Sequence, residues 1–142
     1  GLKTLVVLSD GKQYENQVLL RSELKHLKRL SRRFSRRQPY SQRWYQAKRQ
    51  LERFHERVAN RRADYLHKIT TEMTRTYEII GVEDLNVAGM LKNHRLALSL
   101  ADASFGEIRR QLTYKSEWCG GHVVTVDTFF PSSQLCSTPK CD

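Results

Sequence analysis

Glu83 closes a short apolar run, Ile79-Ile80-Gly81-Val82, and is followed by Asp84 and a turn through Asn86 and Gly89. A buried strand that carries a carboxylate to its C-terminal tip is one way to build a metal-dependent site. Two divalent ions held by several acids can activate water and stabilise the leaving oxygen of a phosphodiester. Alternation along a strand puts Glu83 and Asp84 on opposite faces, so only one of them looks into a given site. One acid is not enough, because Mg²⁺ or Mn²⁺ requires several oxygen ligands. Asp127 follows a second apolar run, His122 to Val126, and would approach Glu83 if the two strands pair. A solvated acid at a strand end fits the local pattern equally well.

Cys136 and Cys141 form C-x4-C, the wide end of zinc-knuckle spacing. Two thiolates make half of a tetrahedral site, so a complete zinc centre within this chain is not expected. Cys119 follows Trp118 at a helix end and reads as a small buried residue. The histidines are scattered and make no ligand pattern. Asp102 and Glu107 read as solvated helix acids.

The strongest charge signal is local. Between Arg21 and Arg62 there are 15 Lys/Arg against 3 Glu, a net of +12 in a chain whose total is +10. Arg32, Arg33, Arg36, Arg37, Arg43, Lys48, Arg49, Arg53 and Arg57 carry most of it. A charge run is usually a solvated helix face. Here too few acids intervene to compensate it through i,i+4 pairs, and a phosphate-binding surface is the better reading. Such a surface sets position and affinity rather than sequence. Tyr40 and Tyr45 near the turn can stack on bases, whereas Trp44 fits the apolar seam.

These groups need elements to hold them. Lys3 to Leu8, the turn Ser9-Asp10-Gly11 and Lys12 to Val18 predict a β-hairpin. Leu20, Leu24, Leu27 and Phe34, then Trp44, Ala47, Leu51, Phe54, Val58, Tyr65 and Ile69, recur at helical spacing on either side of Pro39. They predict two amphipathic helices closed into an antiparallel αα-hairpin, with Ser41 capping the second. Glu78 to Leu85 predicts a buried strand. His94 to Trp118 predicts one helix ended by Gly120-Gly121, and His122 to Val126 a last strand. The tail from Thr128 predicts loop.

At 142 residues the chain is one modest domain or a piece of a larger one. It opens on Gly1 without a Met and closes on Asp142, so a piece is expected. Three cysteines argue against a disulfide framework. No apolar run reaches membrane-spanning length and nothing directs export, so no membrane partner and a cytoplasmic location are expected.

The order of these pieces resembles the TnpB/OrfB proteins of bacterial insertion sequences over nearly the whole chain. Gly81-Val82-Glu83-Asp84-Leu85-Asn86-Val87-Ala88-Gly89-Met90 is similar to the family's second RuvC motif. Ser104-Phe105-Gly106-Glu107-Ile108-Arg109-Arg110-Gln111-Leu112 is similar to the helix after it, and Phe130-Pro131-Ser132-Ser133 with Cys136 to the lead-in of its zinc ribbon. The resemblance implies an α/β fold of RNase H-like (RuvC) type: a small mixed sheet flanked by helices, with a basic αα-hairpin inserted over 20–77 and the start of a zinc ribbon over 128–142. It implies a transposon-associated, RNA-guided DNA endonuclease related to type V CRISPR effectors, with DNA and a guide RNA as partners. Glu83 matches the catalytic Glu and a ligand of Mg²⁺ or Mn²⁺. Cys136 matches the first Zn²⁺ ligand, while Cys141 departs from the family's usual C-x2-C. The first-motif and third-motif Asp would fall outside these 142 residues, so no cleavage is expected of this chain alone, and it need hold neither ion. The alternatives are a non-enzymatic nucleic-acid-binding module and a helical adaptor for an acidic protein.

Overall fold

The computed structural model describes residues 4–17, 19–94 and 97–126. The chain runs β1 (Thr4–Val7), β2 (Gln13–Glu15), α1 (Leu19–Ser22), α2 (Leu24–Ser35), α3 (Gln42–Thr76), β3 (Ile79–Glu83), α4 (Val87–Leu91), α5 (Ala97–Ala103), α6 (Phe105–Trp118) and β4 (His122–Val126). It is a mixed α/β fold. The expected single sheet is instead two pairs: β1 with β2 antiparallel, and β3 with β4 parallel. The return strand is Gln13–Glu15, and the turn fixes where it begins. Gly11 takes a φ of 87°, its amide donates to the Leu8 carbonyl at 3.0 Å, and Lys12 N–H donates to Asp10 Oδ1 at 2.8 Å.

α3 organises the molecule. It is 35 residues long, about 52 Å at 1.5 Å per residue. The Ser41 hydroxyl accepts from the Trp44 amide at 3.1 Å and caps it. Its first half packs antiparallel against α2 through Phe54 and Val58, with Leu19, Leu27 and Leu30 opposite. Its second half gives Leu66, Ile69 and Met73 to the main core, where they meet Leu5, Tyr14, Ile80, Ala103, Ile108 and Leu112. Leu66 and Leu112 are almost fully buried. Burying one such side chain contributes about 2 kcal/mol or more, above the roughly 0–1 kcal/mol of an exposed ion pair. The α3–α6 seam therefore outweighs the surface pairs. Tyr65 OH donating to the Glu15 carbonyl at 2.6 Å, the Lys12–Glu72 pair and the Tyr77–Asp10 hydrogen bond fasten the β-hairpin to α3.

Two expected helices are broken. The first is interrupted at Glu23, between α1 and α2. The predicted helix over 94–118 divides at Ser104, whose φ of 52° ends α5 and starts α6. A left-handed Ser cannot continue a right-handed helix. α6 ends where Gly120-Gly121 predicts. Gly120 takes a φ of 78° and donates to the Glu117 carbonyl at 3.2 Å, while Gly121 donates to the Ser116 carbonyl at 2.8 Å. Both satisfy carbonyls at the helix end. No described helix is long and apolar enough to cross a membrane.

Candidate nucleic-acid interface and acidic strand tip

Glu83 is the last residue of β3 and sits in register with Val126 of β4, so the strand-tip placement holds and the pairing that the sequence left open is present. The burial does not hold. Ile80 is buried and Val82 half-buried, whereas Ile79, Gly81 and Glu83 are exposed. The reason is that α6 packs on one face of the pair and, among the described residues, no helix covers the opposite face. Asp84 turns towards α6 and pairs with Arg109, whose guanidinium also donates to Thr125 Oγ1 at 3.3 Å. Alternation therefore assigns the two acids to different neighbours. Between β1 and β3 lies an apolar trough of about 580 Å³, lined among others by Leu5, Val7, Ile79, Val82, Phe105 and Glu83.

Glu83 is a hard oxygen donor suited to one position around Mg²⁺ or Mn²⁺. Among the described residues no group of three or more His, Cys, Asp or Glu side chains is gathered for a metal, so no reaction step is derived through one. Asp127, Cys136 and Cys141 lie outside the described residues. Cys119, expected to be buried, is exposed, because it caps α6 at the surface beyond the last core turn.

The basic hairpin is present. Arg32, Arg33, Arg36, Arg43, Lys48, Arg49, Arg53 and Arg57 are exposed and Arg37 is half-buried. The antiparallel pairing is direct: Phe34 stacks on Trp44 with centroids 5.2 Å apart, His26 on Phe54 at 5.2 Å, and Arg33 donates to Gln50 Oε1 at 3.3 Å. A recess of about 680 Å³ along α2 is lined entirely by Lys and Arg between Lys25 and Arg37. On α3, Arg49, Arg53 and Arg57 recur every fourth residue and share a face. Of the hairpin's acids, Glu52 lies 3.7 Å from Lys48 and Glu23 4.0 Å from His26. Fifteen cations cannot be neutralised by three acids, so the surface keeps a strong positive field.

Sequence reasoning missed a buried polar relay between α3 and α6. Lys115 Nζ donates to Thr70 Oγ1 at 2.8 Å, Thr71 Oγ1 at 2.8 Å and the His67 carbonyl at 2.9 Å. Thr70 Oγ1 lies 2.8 Å from Gln111 Oε1, and Gln111 Nε2 donates to Glu107 Oε1 at 2.8 Å. Arg110 grips the same carboxylate at 2.7 and 2.8 Å. Burial lowers the Lys115 pKa. The Arg110 and Gln111 hydrogen bonds hold the Glu107 carboxyl at about 2, against an ordinary 4.5. Glu107, read as solvated, is thus the anionic end of a structural network. The signal was available: Glu107, Gln111 and Lys115 stand four apart on a helix whose apolar residues flank them.

A mixed α/β fold with a projecting basic hairpin and a carboxylate at a parallel strand tip defines the class. Residues 1–94 match the OrfB_IS605 family, described as "Probable transposase", and residues 105–142 match the Cas12f1-like TNB domain. The chain belongs to the OrfB_IS605 transposase family. It is similar to proteins provisionally named RNA-guided DNA endonuclease. One from Streptomyces pristinaespiralis is 38% identical over 97% of this chain and 34% of its own length. InsQ of Escherichia coli K12 is 36% identical over 96% and 38%, and one from Mycobacterium tuberculosis H37Rv is 35% identical over 96% and 32%. The chain therefore spans about a third of the length of the curated relatives it matches.

Proposed function

We propose that this chain is the nucleic-acid-gripping and glutamate-bearing part of an RNA-guided, metal-dependent DNA endonuclease of an insertion sequence. Its core is RNase H-like, with residues 20–77 as an inserted basic hairpin and 128–142 as the start of a zinc ribbon. Its partners are DNA and a guide RNA. Glu83 is the catalytic carboxylate and one ligand of Mg²⁺ or Mn²⁺, and Cys136 with Cys141 is at most half of a Zn²⁺ site. The placement of Glu83 at the C-terminal tip of β3, beside parallel β4, carries this reading. The relatives' names support it. The hairpin holds the phosphate backbone, and Glu83 would supply one oxygen ligand to a divalent ion, whose chemistry when bound is to activate water and stabilise the leaving oxygen.

A second reading, a binding module without chemistry, is favoured by the recess along α2 lined entirely by Lys and Arg, which needs no acid to hold phosphate. The two share the hairpin and differ at Glu83.

The test is filter binding of the full chain to DNA across KCl concentrations. Affinity is expected to fall by about tenfold or more between roughly 50 and 200 mM salt. Replacing Arg32, Arg33, Arg36 and Arg37 with Gln should flatten that slope. A salt-independent affinity would end the phosphate reading. Glu83→Gln should leave DNA binding intact and weaken the low-affinity Mn²⁺ binding that a single carboxylate supports, followed by paramagnetic broadening. Unchanged Mn²⁺ binding would favour the module without chemistry.

A further inference from the structure

The outer end of the hairpin differs from its sides. The sides are arrays of cations, while the end gathers aromatic rings. Tyr40 is 78% exposed and Tyr45 45% exposed. Both border a recess of about 420 Å³ that is also lined by Gln42, Lys48, Arg49 and Glu52.

Trp44 supplies the floor of this platform. It is half-buried and packs on Phe34. Tyr40 leans on it at 5.7 Å and Tyr45 meets it edge-on at 5.0 Å, while Lys48 Nζ stands 5.5 Å above its ring. Trp44 already seals the end of the α2–α3 seam, so Tyr40 is not needed as a cover and is mostly in water.

The backbone adds a second, independent observation. Tyr40 has a φ of 64°, a region where Gly or Asn is relaxed and a Tyr is uncommon. The turn after Pro39 is closed by Ser41 N–H to the Gln38 carbonyl at 3.2 Å and by Ser41 Oγ–H to the same carbonyl at 2.8 Å. The turn thus holds a large aromatic ring in the open, at a position where a smaller residue would suit the backbone better.

We infer that the hairpin tip is a stacking site for an unpaired nucleobase of a single strand, with Tyr40 and Tyr45 as the ring surfaces and Arg49 and Lys48 taking the flanking phosphate. This rests on the nucleic-acid reading of the hairpin and deepens it. Stacking on an aromatic face accepts any base, because every base has a π-face. A paired base in a duplex keeps its faces inside the helix and cannot use the site.

The test compares three labelled probes of about twelve residues by fluorescence anisotropy at one salt concentration: single-stranded oligo-dA, an abasic phosphodiester strand of equal length, and a duplex. The wild-type chain is expected to bind oligo-dA about tenfold more tightly than the abasic strand. Tyr40→Ala and Tyr45→Ala should lower oligo-dA binding to the abasic level and leave duplex binding unchanged, while Tyr40→Phe should retain the preference. Equal wild-type affinity for oligo-dA and the abasic strand overturns the stacking site, whatever the variants do. If all three probes bind equally, the phosphate reading stands and only the tip proposal falls. If none binds, both fall.

Discussion

Glu107 shows how much a single side chain's partners decide. Its carboxylate is gripped by Arg110 and Gln111 and titrates at about 2 rather than 4.5. A carboxyl held below its unfolded value adds stability above that unfolded value, and the contribution is lost as pH falls through the folded one. The chain should therefore weaken between pH 4.5 and about 2. Urea midpoints measured across that window should fall steeply for the wild type and more shallowly for Glu107→Gln, which should also be weaker at neutral pH. Identical acid profiles would show that the network adds nothing. Asp10 and Glu72 are lowered as well, by the Tyr77 hydroxyl and the Lys12 ammonium respectively, and they act in the same direction. Glu83 was legible at this scale because an apolar run ending in an acid is a local pattern. The Glu107 partners Arg110 and Gln111 lie within four residues on the same helix and were legible too, whereas the Thr70–Lys115 link was not, because those residues are 45 apart and meet only when α3 and α6 pack.

At the scale of elements, the join between α6 and β4 sets the register of the parallel pair. Gly121 lies directly against the Glu78 backbone carbonyl, and His122 N–H donates to that same oxygen at 2.7 Å. A methyl at 121 would meet backbone, which cannot rotate away. Gly121→Ala is expected to cost about 2 kcal/mol in chemical denaturation. Gly120→Ala should cost about 1 kcal/mol, from its left-handed φ alone. Equal effects would show that the close approach is relieved elsewhere. The Gly pair was readable as a helix stop, since Gly suits the left-handed position after a helix. The break at Ser104 was not readable, because a Ser between Ala103 and Phe105 gives no local sign of it. The long helices were clear because their apolar residues repeat over many turns.

For the whole molecule, the telling feature is a parallel pair on which, among the described residues, a helix packs on one face only. Parallel strands are normally covered on both faces. Here Ile79 is 68% exposed and Val124 51% exposed on the open side. The 142-residue chain is expected to self-associate as its concentration rises in analytical ultracentrifugation, and Ile79→Thr with Val124→Thr should suppress this without lowering the melting temperature. A wild-type chain that sediments as a monomer at high concentration would refute the idea. The sequence made β3 look buried because its residues are apolar, but apolar composition does not say which face has a neighbour. α3 carries a different consequence. It is an unbroken rod rooted in the main core and ending at the aromatic tip, and only two residues separate its end from β3. Adding one residue to its middle would swing the hairpin about 100° around the axis, while adding seven would bring it back to nearly the original azimuth. The direction in which the arginines point relative to the Glu83 tip is thus fixed by helical phase, and the number of residues in one rod is the setting.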